Sequence, residues 1–440
     1  MNAPAHALRV GTASAFVALA AFACNTILAT PDPMLRIDAG QVTYGDLTDV
    51  RRWEAFDLAL PENFGPNAMV FSGGSFDGRY VYLAPSSNYA GTFFNTLVAR
   101  YDSASTKGLD DRSAWAVVDL KNAPELGSVH GSSFFGSASD GRAVYLIPSR
   151  RQDGGVAARY DKNAPFEDAA SWTGFDLVAN LGLTAKSFAG GAVVGKYLYL
   201  APSISSGAVR YDTSQPFENA ESWNLYDLTK IGAGDVEYFG VATDGKYVYY
   251  VPNVNKSAGL PSGVIARFDT AQTDFGHGWQ TYDLVNVPGK PAGFLGAVFD
   301  GRYLYFVPNY DRAGIATRFD TAAAFDAPSS WQTFYLGKID GVDAAVGYAG
   351  GQFDGRYVYF VPQYEIDVNG TIVRYDTMAP FGSATSYRAF DITRIHPKAA
   401  GFVGSVFDGR YVYLVPSYGG VVARFDARTP AALPSPGSSY

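Results

Sequence analysis

Three tyrosines occupy equivalent positions in the sequence. Each lies two residues after a proline and directly after a polar residue. They are Tyr310, Tyr364 and Tyr418, and the residues before the first two are Asn309 and Gln363. A flat ring beside a hydrogen-bonding side chain suits the binding of a sugar or a peptide. A longer segment after an earlier proline adds aromatic residues, so the predicted ligand-binding set is Tyr310, Tyr364, Tyr418, Tyr89, Phe93, Asn309 and Gln363. The alternative is that these rings only cover surface loops.

Six carboxylates indicate a second chemistry. Glycosidases use two carboxyl groups about 5–10 Å apart, one as acid and one as base or nucleophile. The candidates, all between predicted strands, are Asp235, Glu237, Asp340, Asp343, Glu365 and Asp367. Exposed carboxylates more commonly serve solubility. We therefore predict no catalytic residue, and a carbohydrate-active hydrolase or lyase is the alternative function.

Metal and cofactor chemistry has little support in the sequence. After the N-terminal segment the histidines are His130, His277 and His396, and no common spacing makes them a metal site. No DxDxDG calcium loop surrounds the Asp-Gly pairs. We predict no metal and no cofactor.

Composition limits the classes of partner. The chain has 440 residues and a formal net charge of −8, which disfavours nucleic acid because binding phosphate needs a basic face. Aromatic residues make up 15% and glycine is abundant at 48 copies, as expected for a sheet-rich protein with many tight turns. We expect a monomer.

The elements that must position these side chains form a repeat. An Asp-Gly pair, once replaced by Val-Gly, precedes an aromatic-rich strand that ends in proline. The copies are Asp77–Pro85, Asp140–Pro148, Val194–Pro202, Asp244–Pro252, Asp300–Pro308, Asp354–Pro362 and Asp408–Pro416. A period of about 50–60 residues is typical of propellers and other repeat arrays.

Each copy predicts four strands. The first carries an aromatic residue six positions before the turn and a glycine four before it, and a glycine inside a strand marks close approach of another backbone. The Asp-Gly pair predicts a type I′ hairpin turn. The second strand ends in proline, the third in arginine, an aromatic residue and aspartate, and the fourth begins with tryptophan in most copies.

The third-strand arginines are a possible anion-binding ring, but each has an aspartate two residues later. Side chains two residues apart lie on the same face of a strand. We therefore predict a repeated ion pair or hydrogen-bond clamp for Arg100, Arg159, Arg210, Arg267, Arg318, Arg374 and Arg424.

The order of the segments predicts how the ring closes. The chain begins with a lone fourth strand, Trp53–Leu58, and ends after a third strand, Val421–Asp426. Pairing of these ends removes an open sheet edge. We predict an all-β, seven-bladed β-propeller of four-stranded antiparallel blades over residues 42–427, closed by the N-terminal strand joining the last blade. Residues 428–440, rich in Pro, Ser and Ala, are predicted to be a disordered tail.

Residues 1–24 resemble a bacterial export signal. Arg9 precedes the apolar run Ala13–Ala23, and Ala21-Phe22-Ala23 satisfies the A-x-A rule for cleavage. The run ends at Cys24, the only cysteine, as in a lipobox. A lipid-anchored form, a plainly cleaved form and an uncleaved anchor all stay open, and residues 25–41 are a linker. The prediction is an exported protein, in the cell envelope or secreted, that contacts membrane only through a lipid on Cys24.

The blade resembles the kelch repeat in its DG turn, its Y-V-Y strand, its later Y/F-D and the tryptophan that follows. The resemblance covers all seven copies. The double glycine that kelch repeats carry after the second strand is here Val-Pro or Ala-Pro in most copies. The resemblance implies four-stranded blades and a tendency toward binding roles. A copper site of the galactose-oxidase kind would need a cysteine–tyrosine pair that this chain lacks.

In a propeller, the connections between strands two and three and those between blades lie on one face, which we call the loop face. The predicted ligand-binding residues fall there, on connections of unequal length, so we expect one asymmetric site. The predicted function is a non-catalytic, exported binding or scaffold propeller that recognises a glycan, peptide or protein.

Overall fold

The computed structural model describes residues 42–87, 95–124, 126, 134–149, 155–183, 188–205, 207–309, 314–342, 347–363 and 370–429. These residues form a ring of seven antiparallel blades with four strands along each blade's main path. The predicted fold class is confirmed.

In each blade, successive strands along the chain lie progressively farther from the axis of the ring. Before the first blade come β1 (Thr43–Tyr44) and β2 (Trp53–Asp57). Blades 1 and 2 contain β3 (Phe71–Phe76), β4 (Tyr80–Pro85), β5 (Leu97–Asp102), β6 (Trp115–Asp119), β7 (Phe134–Ser139), β8 (Ala143–Pro148), β9 (Val156–Asp161) and β10 (Trp172–Asp176). Blades 3 and 4 contain β11 (Phe188–Val194), β12 (Tyr197–Pro202), β13 (Gly207–Asp212), β14 (Trp223–Asp227), β15 (Val236–Thr243), β16 (Tyr247–Asn255), β17 (Leu260–Pro261), β18 (Val264–Asp269) and β19 (Trp279–Asp283).

The remaining strands repeat this plan. Blades 5 and 6 contain β20 (Phe294–Phe299), β21 (Tyr303–Pro308), β22 (Ile315–Asp320), β23 (Trp331–Tyr335), β24 (Tyr348–Phe353), β25 (Tyr357–Pro362), β26 (Thr371–Asp376) and β27 (Tyr387–Asp391). Blade 7 contains β28 (Phe402–Phe407), β29 (Tyr411–Pro416) and β30 (Val421–Asp426), which β31 (Arg428–Thr429) follows.

Within the described ranges, helical structure is confined to short pieces in the connections. The α-helix is α1 (Leu177–Leu181), which Asp176 caps by accepting from the backbone N–H groups of Val178 and Ala179. The 3₁₀ turns are Val50–Arg52, Pro66–Met69, Arg112–Ala114, Leu120–Asn122, Ala169–Ser171, Ala220–Ser222, Leu228–Ile231, Leu284–Asn286, Pro328–Ser330, Leu336–Lys338, Ala384–Ser386 and Ile392–Arg394.

The ring closes as the order of segments predicts. Strand β2 pairs with β30 from Trp53↔Phe425 to Asp57↔Val421 and becomes the outer strand of blade 7. A second pairing, β1 with β31, adds Arg428–Thr429, the first two residues of the predicted tail, to the paired structure. The rest of that tail, the export signal and the linker lie outside the described residues.

The β1–β31 pair lies on the face opposite the loop face, which we call the turn face because it carries the Asp-Gly turns. The Tyr44 ring contacts that of Tyr357, with centroids 5.6 Å apart, and Arg428 donates to the carbonyl oxygen of Asp354. Both ends of the described ring therefore meet at the turn of blade 6.

Each inner strand has a β-bulge at its repeated glycine. In β3 the pairing shifts between Phe71 and Gly74, and the glycine four positions before the turn has positive φ in all seven copies. A Cβ on Gly190 would lie 3.0 Å from the Cα of Gly240 in the next blade. The predicted close approach of backbones is confirmed.

The predicted type I′ turn is wrong. The N–H of Asp77 bonds to the carbonyl of Tyr80, so Gly78 and Arg79 are the central residues. Gly78 has a φ of 98°, and the only described non-glycine residue with positive φ is Lys290. A glycine with positive φ at the first central position is a feature of type II′ turns.

The aspartate has another role, as a clamp that the spacing did not predict. Asp77 Oδ1 accepts the backbone N–H groups of Arg79 and Tyr80, and its Oδ2 accepts the hydroxyl of Tyr82 at 2.9 Å. Burial, and then the carboxylate, raise the pKa of Tyr82, which keeps the hydroxyl a donor. The same tyrosine–aspartate bond joins Tyr145–Asp140, Tyr249–Asp244, Tyr305–Asp300, Tyr359–Asp354 and Tyr413–Asp408. Blade 3 has Val194 at this position.

The predicted pairing of third-strand arginine with the following aspartate is present once among the described contacts, as Arg159–Asp161 at 3.4 Å. In five other blades the aspartate pairs with the cation after the turn, and the Arg79 guanidinium holds the pKa of Asp102 below its usual value. These pairs are Arg79–Asp102, Lys196–Asp212, Arg302–Asp320, Arg356–Asp376 and Arg410–Asp426, with 2.7–2.9 Å between the charged atoms.

The third-strand arginine instead joins neighbouring blades. The Arg100 guanidinium lies 4.2 Å from the ring centroids of both Tyr80 in blade 1 and Phe166 in blade 2. Arg424 bonds to Tyr101 across the closure, at 2.8 Å. Cation–π contacts between blades, rather than an ion pair along the strand, explain the repeated arginine.

Stacked rings join the outer strands of neighbouring blades. Phe175 and Trp223 are parallel within 3° at 4.9 Å, and Tyr226 and Trp279 within 8° at 4.8 Å. The Trp223 indole also donates to the carbonyl of Phe217 at 2.9 Å. Such pairs bury large apolar area and fix each blade against the next.

Candidate functional site

The axis of the ring is filled by inner-strand side chains. Phe135 and Phe239 meet edge to face across the axis at 5.6 Å. Apolar residues at the equivalent position of other blades complete the plug: Ala189, Leu295, Ala349 and Val403. A ligand that approaches the axis from the loop face therefore meets an apolar floor.

The predicted ligand-binding residues are placed only in part. Tyr310, Tyr364, Tyr89 and Phe93 lie outside the described residues. Tyr418 follows β29 on the loop face and is 51% exposed.

The structure brings Asn309 and Gln363 together. Asn309 is buried, and its Nδ2 donates to the Gln363 Oε1 and, at 3.1 Å, to the carbonyl oxygen of Tyr348 in the next blade. Asn253 makes the equivalent bond to Phe294 at 2.8 Å. The asparagine after the proline therefore joins adjacent blades in these two positions.

Two of the candidate carboxylates lie at the start of β15. Glu237 Oε2 accepts the hydroxyl of Ser203 at 3.2 Å, and Asp235 Oδ1 accepts the hydroxyl and the N–H of Ser257 at 2.8 and 3.2 Å. The bond from the Ser257 hydroxyl lowers the pKa of Asp235, whereas a general acid needs a raised one. Asp340 is exposed after β23. Asp343, Glu365 and Asp367 lie outside the described residues.

The histidines are not brought together. His130 lies outside the described residues. His277 faces Asp274 on the turn face, with Nδ1 and Oδ2 2.6 Å apart, and His396 Nδ1 accepts the N–H of Lys398 on the loop face. Within the described ranges, no group of three or more His, Cys, Asp or Glu side chains is placed to hold a metal ion.

Blade 4 breaks the repeat on the loop face. Its first two strands have eight and nine residues, whereas β20 and β21 of blade 5 have six each. The added length pairs Val236↔Asn255 and Glu237↔Val254, and β17 pairs with β16 at Asn255↔Leu260. We did not predict this extension. The available signal was the apolar pair Val254 and Leu260, one on each side of the polar and small residues 255–259.

Lys256 connects the extension to blade 3. Its Nζ donates to the carbonyl oxygens of Ile204 and Ser205 at 3.3 and 3.4 Å, and its backbone N–H donates to Asp235 at 2.8 Å. Burial lowers the pKa of the ammonium group, and Asp235, Glu237 and Asp227 act in the opposite direction. Three carboxylates therefore lie within electrostatic reach of one amine.

Aliphatic side chains of the same two blades are exposed. Ile204 is 49% exposed, Leu225 43% and Leu260 63%. A Cβ on Gly207 would lie 2.5 Å from Leu225 Cδ1 and 3.3 Å from Ser205 Oγ, so Leu225 adjoins the blade 3 loop. We define the blade 3/4 patch as Ile204, Leu225, Asp227, Asp235, Glu237, Lys256 and Leu260.

Two surface hollows among the described residues lie away from this patch. One of about 460 Å³ is lined by Arg267, Gln280, Phe325 and their neighbours, and one of about 480 Å³ by Lys107–Arg112. Both are open and include third-to-fourth-strand connections of the turn face. Arg267 in the first is held between Gln280 and the rings of Tyr247 and Phe325, which is a structural role. In the part of the chain described, no helix is long and apolar enough to span a membrane.

Comparison with known proteins identifies the fold. No protein-family model matches the sequence, and no curated protein matches it. The chain is similar in structure to a catalytically inactive variant of virginiamycin B lyase from Staphylococcus aureus, at 13% identity and a TM-score of 0.55, over 85% of this chain and 99% of that one.

Two further solved structures have the same fold. The extracellular domain of BT4673 from B. thetaiotaomicron has 10% identity and a TM-score of 0.53, over 89% of this chain and 44% of that one. The β-propeller domain of Cps50 (Swd1) from Myceliophteria thermophila has 11% identity and a TM-score of 0.50, over 81% and 96%. These identities support the fold alone, and the kelch resemblance stays a prediction.

Proposed function

We propose that the protein is a binding propeller whose ligand site lies on the loop face, centred on the blade 3/4 patch. The carrying observation is the extension of blade 4, where β15 and β16 have eight and nine residues against six in β20 and β21, and β17 pairs with β16. The added segment places Lys256 Nζ 3.3 Å from the carbonyl oxygen of Ile204 in blade 3, and Leu260 of the same segment is 63% exposed. Exposed apolar residues rimmed by polar ones are typical of interaction sites.

The patch is also held in place before a ligand arrives. Lys256 bonds to two carbonyls of blade 3, and the Asp235–Ser257 bonds hold the extension to the connection that precedes β15. Preorganised side chains lose little conformational entropy on binding. The ligand classes consistent with such a surface are a glycan, a peptide or a protein.

A carbohydrate-active enzyme is the second candidate, because Asp235 and Glu237 lie two residues apart beside the amine of Lys256. An enzyme of this kind would release reducing ends or unsaturated products from an oligosaccharide. Loss of that release in Glu237→Gln, with binding retained, would favour the enzyme.

The position of β1 on the turn face also bears on how a tethered form of the protein would be oriented. The described ring begins near β1, which pairs with β31 on the turn face. In the exported form that we propose, a lipid on Cys24 would tether the turn face and leave the loop face open to a ligand.

The test is an array of glycans and peptides probed with the full chain attached through its C-terminus. We expect Leu260→Ser and Ile204→Ser to weaken binding about tenfold or more. The matched control is Met378→Ser, an 83% exposed apolar residue on the turn face, which should bind like the wild type. Tyr418→Ala and Tyr364→Ala test the predicted tyrosine set. Binding that every loop-face variant leaves unchanged would contradict the proposal.

A further inference from the structure

We infer that the protein has a second ligand site, on the turn face between blades 4 and 5, and that this site binds a free α-amino acid. The site is the open hollow of about 460 Å³ described above, which we call the blade 4/5 hollow. Its lining residues are Arg267, Gln280, Thr281, Ala324, Phe325 and Asp326. None of them belongs to the blade 3/4 patch, so this inference does not depend on the proposed loop-face site.

In two copies, a tyrosine hydroxyl of the next blade accepts a hydrogen bond from the third-strand arginine. Arg318 Nη1 donates to the hydroxyl of Tyr375 at 3.2 Å, and that hydroxyl donates to the carbonyl oxygen of Ala379 at 2.6 Å. Arg424 and Tyr101 repeat the first bond across the ring closure, at 2.8 Å. The hydroxyl therefore bridges a guanidinium of one blade and a backbone carbonyl of the next.

Phenylalanine replaces this tyrosine in three copies, at Phe268, Phe319 and Phe425. Two of the arginines in the preceding blades bond to a backbone carbonyl instead. Arg210 Nη2 donates to the carbonyl oxygen of Thr273, and Arg374 Nη1 donates to that of Gly45 at 2.6 Å. At two of the three places, the main chain therefore compensates for the lost hydroxyl.

Arg267, in the blade before Phe319, has no such replacement. Both of its hydrogen bonds within the described ranges, from Nε and Nη2, go to Gln280 Oε1 in its own blade. Its Nη1 therefore has no hydrogen-bond acceptor among the described residues. Polar groups of buried side chains are nearly always hydrogen-bonded, so a free donor on such a side chain calls for an explanation.

The free nitrogen can be reached from the hollow. Arg267 is only 8% exposed, and its guanidinium lies 3.8 Å from the ring centroid of Tyr247 and 4.0 Å from that of Phe325. The described nitrogen and oxygen atoms that are sealed from solvent without a partner include Nη1 of Arg210 but no atom of Arg267. Because Arg267 lines the hollow, its Nη1 is accessible from there.

The tyrosine of the same blade does not replace the missing acceptor. Burial raises the pKa of Tyr249, and the charge of Arg267 acts in the opposite direction, so the two groups are close. The Tyr249 hydroxyl donates to Asp244 at 2.8 Å. Arg318 has the same relation to Tyr305, yet its Nη1 still bonds to the next blade.

A negative group lines the same hollow. Asp326, in the blade 5 connection, is exposed. Burial, and then the charge of Asp326, raise the pKa of Tyr282 in blade 4, so this carboxylate lies near blade 4. Within the described ranges, Asp326 forms neither an ion pair with Arg267 nor another hydrogen bond. The hollow therefore presents a positive and a negative group that do not contact each other.

A ligand with both charges complements this pair. Its carboxylate would accept hydrogen bonds from Arg267 Nη1 and from the amide nitrogen of Gln280, and its ammonium group would donate to Asp326. A simple anion would be repelled by Asp326, and a simple cation by Arg267. The volume of the hollow is in the range of small-molecule sites. A free α-amino acid carries both charges on one carbon atom.

The first experiment is calorimetric titration of the full chain with each of the twenty common free α-amino acids. The amino acid that binds most tightly is then compared with its N-acetyl form, which lacks the ammonium group, and with its amide, which lacks the carboxylate. We expect each blocked form to bind at least about tenfold more weakly.

Phe319→Tyr restores the hydroxyl that most other blades have. The new hydroxyl should bond to Arg267 Nη1, and binding of the amino acid should weaken about tenfold or more. The midpoint of thermal unfolding should stay the same or rise, which separates loss of the site from loss of the fold. Tyr375→Phe, the reverse change one blade away, is the control and should leave the affinity unchanged.

Asp326→Asn tests the other charge at an exposed residue. It should weaken the amino acid about three- to tenfold and leave thermal unfolding unchanged. Glu218→Gln, at the equivalent exposed position of blade 3, is the matched control and should bind like the wild type.

The outcomes separate this site from the loop-face site. Absence of binding by all twenty amino acids, or equal binding of a blocked form, would overturn the inference. Wild-type affinity in Phe319→Tyr would overturn it as well. An amino acid whose binding is lost in Leu260→Ser and kept in Phe319→Tyr would lie on the loop face, which would overturn this site and support the proposed function.

Discussion

The turn face and the loop face end the same strands, but their polar side chains bind different partners. On the turn face, the aspartate of six copies accepts the hydroxyl of a tyrosine five residues later in the same blade. On the loop face, Asn309 reaches the next blade, whereas Asp235 accepts hydrogen bonds from Ser257 of its own blade. The repeated polar residues are therefore needed for folding, whereas residues outside the repeat can vary from blade to blade.

The difference has a physical reason. A buried carboxylate is tolerable only when donors surround it, so a change in one turn-face residue leaves its partners unsatisfied. The residues of the blade 3/4 patch are exposed or half-buried, and water can replace their bonds. Function can therefore change on the loop face with little loss of stability, and the predictions below test that contrast.

We expect the largest loss of stability when the contacts that close the ring are removed, because both faces depend on that closure. The Trp53 ring lies 5.4 Å from Phe390 and 4.9 Å from Phe425, and its indole donates to the carbonyl of Leu47. Trp53→Ala should lower the free energy of unfolding by about 4 kcal/mol, measured by urea denaturation. Val50→Ala, at an exposed residue beside it, is the control. An unchanged midpoint for Trp53→Ala would contradict the closure.

The two faces are compared directly by one pair of aspartates. Asp244 accepts the N–H groups of Lys246 and Tyr247 and the hydroxyl of Tyr249. Asp244→Ala should reduce the free energy of unfolding by about 2–3 kcal/mol, because three donors lose their acceptor. Asp340→Ala, on the loop face, should leave the denaturation midpoint unchanged. Equal effects of the two substitutions would remove the contrast between the faces.

Asn309 should behave like a turn-face residue although it lies on the loop face. Asn309→Ala removes a buried amide that joins blades 5 and 6, and it should destabilise by about 1–2 kcal/mol. Gln363→Ala, at a half-buried partner, should have a smaller effect. Thermal and urea unfolding give both values. A destabilisation by Gln363→Ala larger than that by Asn309→Ala would show that the blade contact is assigned to the wrong residue.

The smallest effect, and a gain, is expected in blade 3. Val194→Asp supplies the carboxylate that the other six turns have, within reach of the Tyr199 hydroxyl. The free energy of unfolding should rise by about 1 kcal/mol. The same substitution in a Tyr199→Phe background should gain less, because one donor is missing. A loss of stability in the wild-type background would mean that the clamp is not transferable between blades.

The sequence predicted the repeat-based features well and the pairings between side chains poorly. The blades and the closure by Trp53–Asp57 were predictable because each strand has its own local pattern. The partner of the third-strand arginine was not, because spacing along one strand gives no information about Phe166 in the next blade. The predicted turn type was wrong because Asp77 is not one of the two central residues of the turn. Its side chain instead accepts the N–H of Arg79, which is a central residue.

The sequence by itself determined the ring: seven copies of one pattern, each unable to bury its faces alone, must stack and close. Only the tertiary structure decided which surface is available for a ligand. Ile204 and Lys256 belong to two blades and are far apart in the pattern of the repeat. They are joined by the bonds from Lys256 Nζ to the carbonyl oxygens of the blade 3 loop. Contacts between blades depend on packing across sheets, and a pattern along the chain does not encode them.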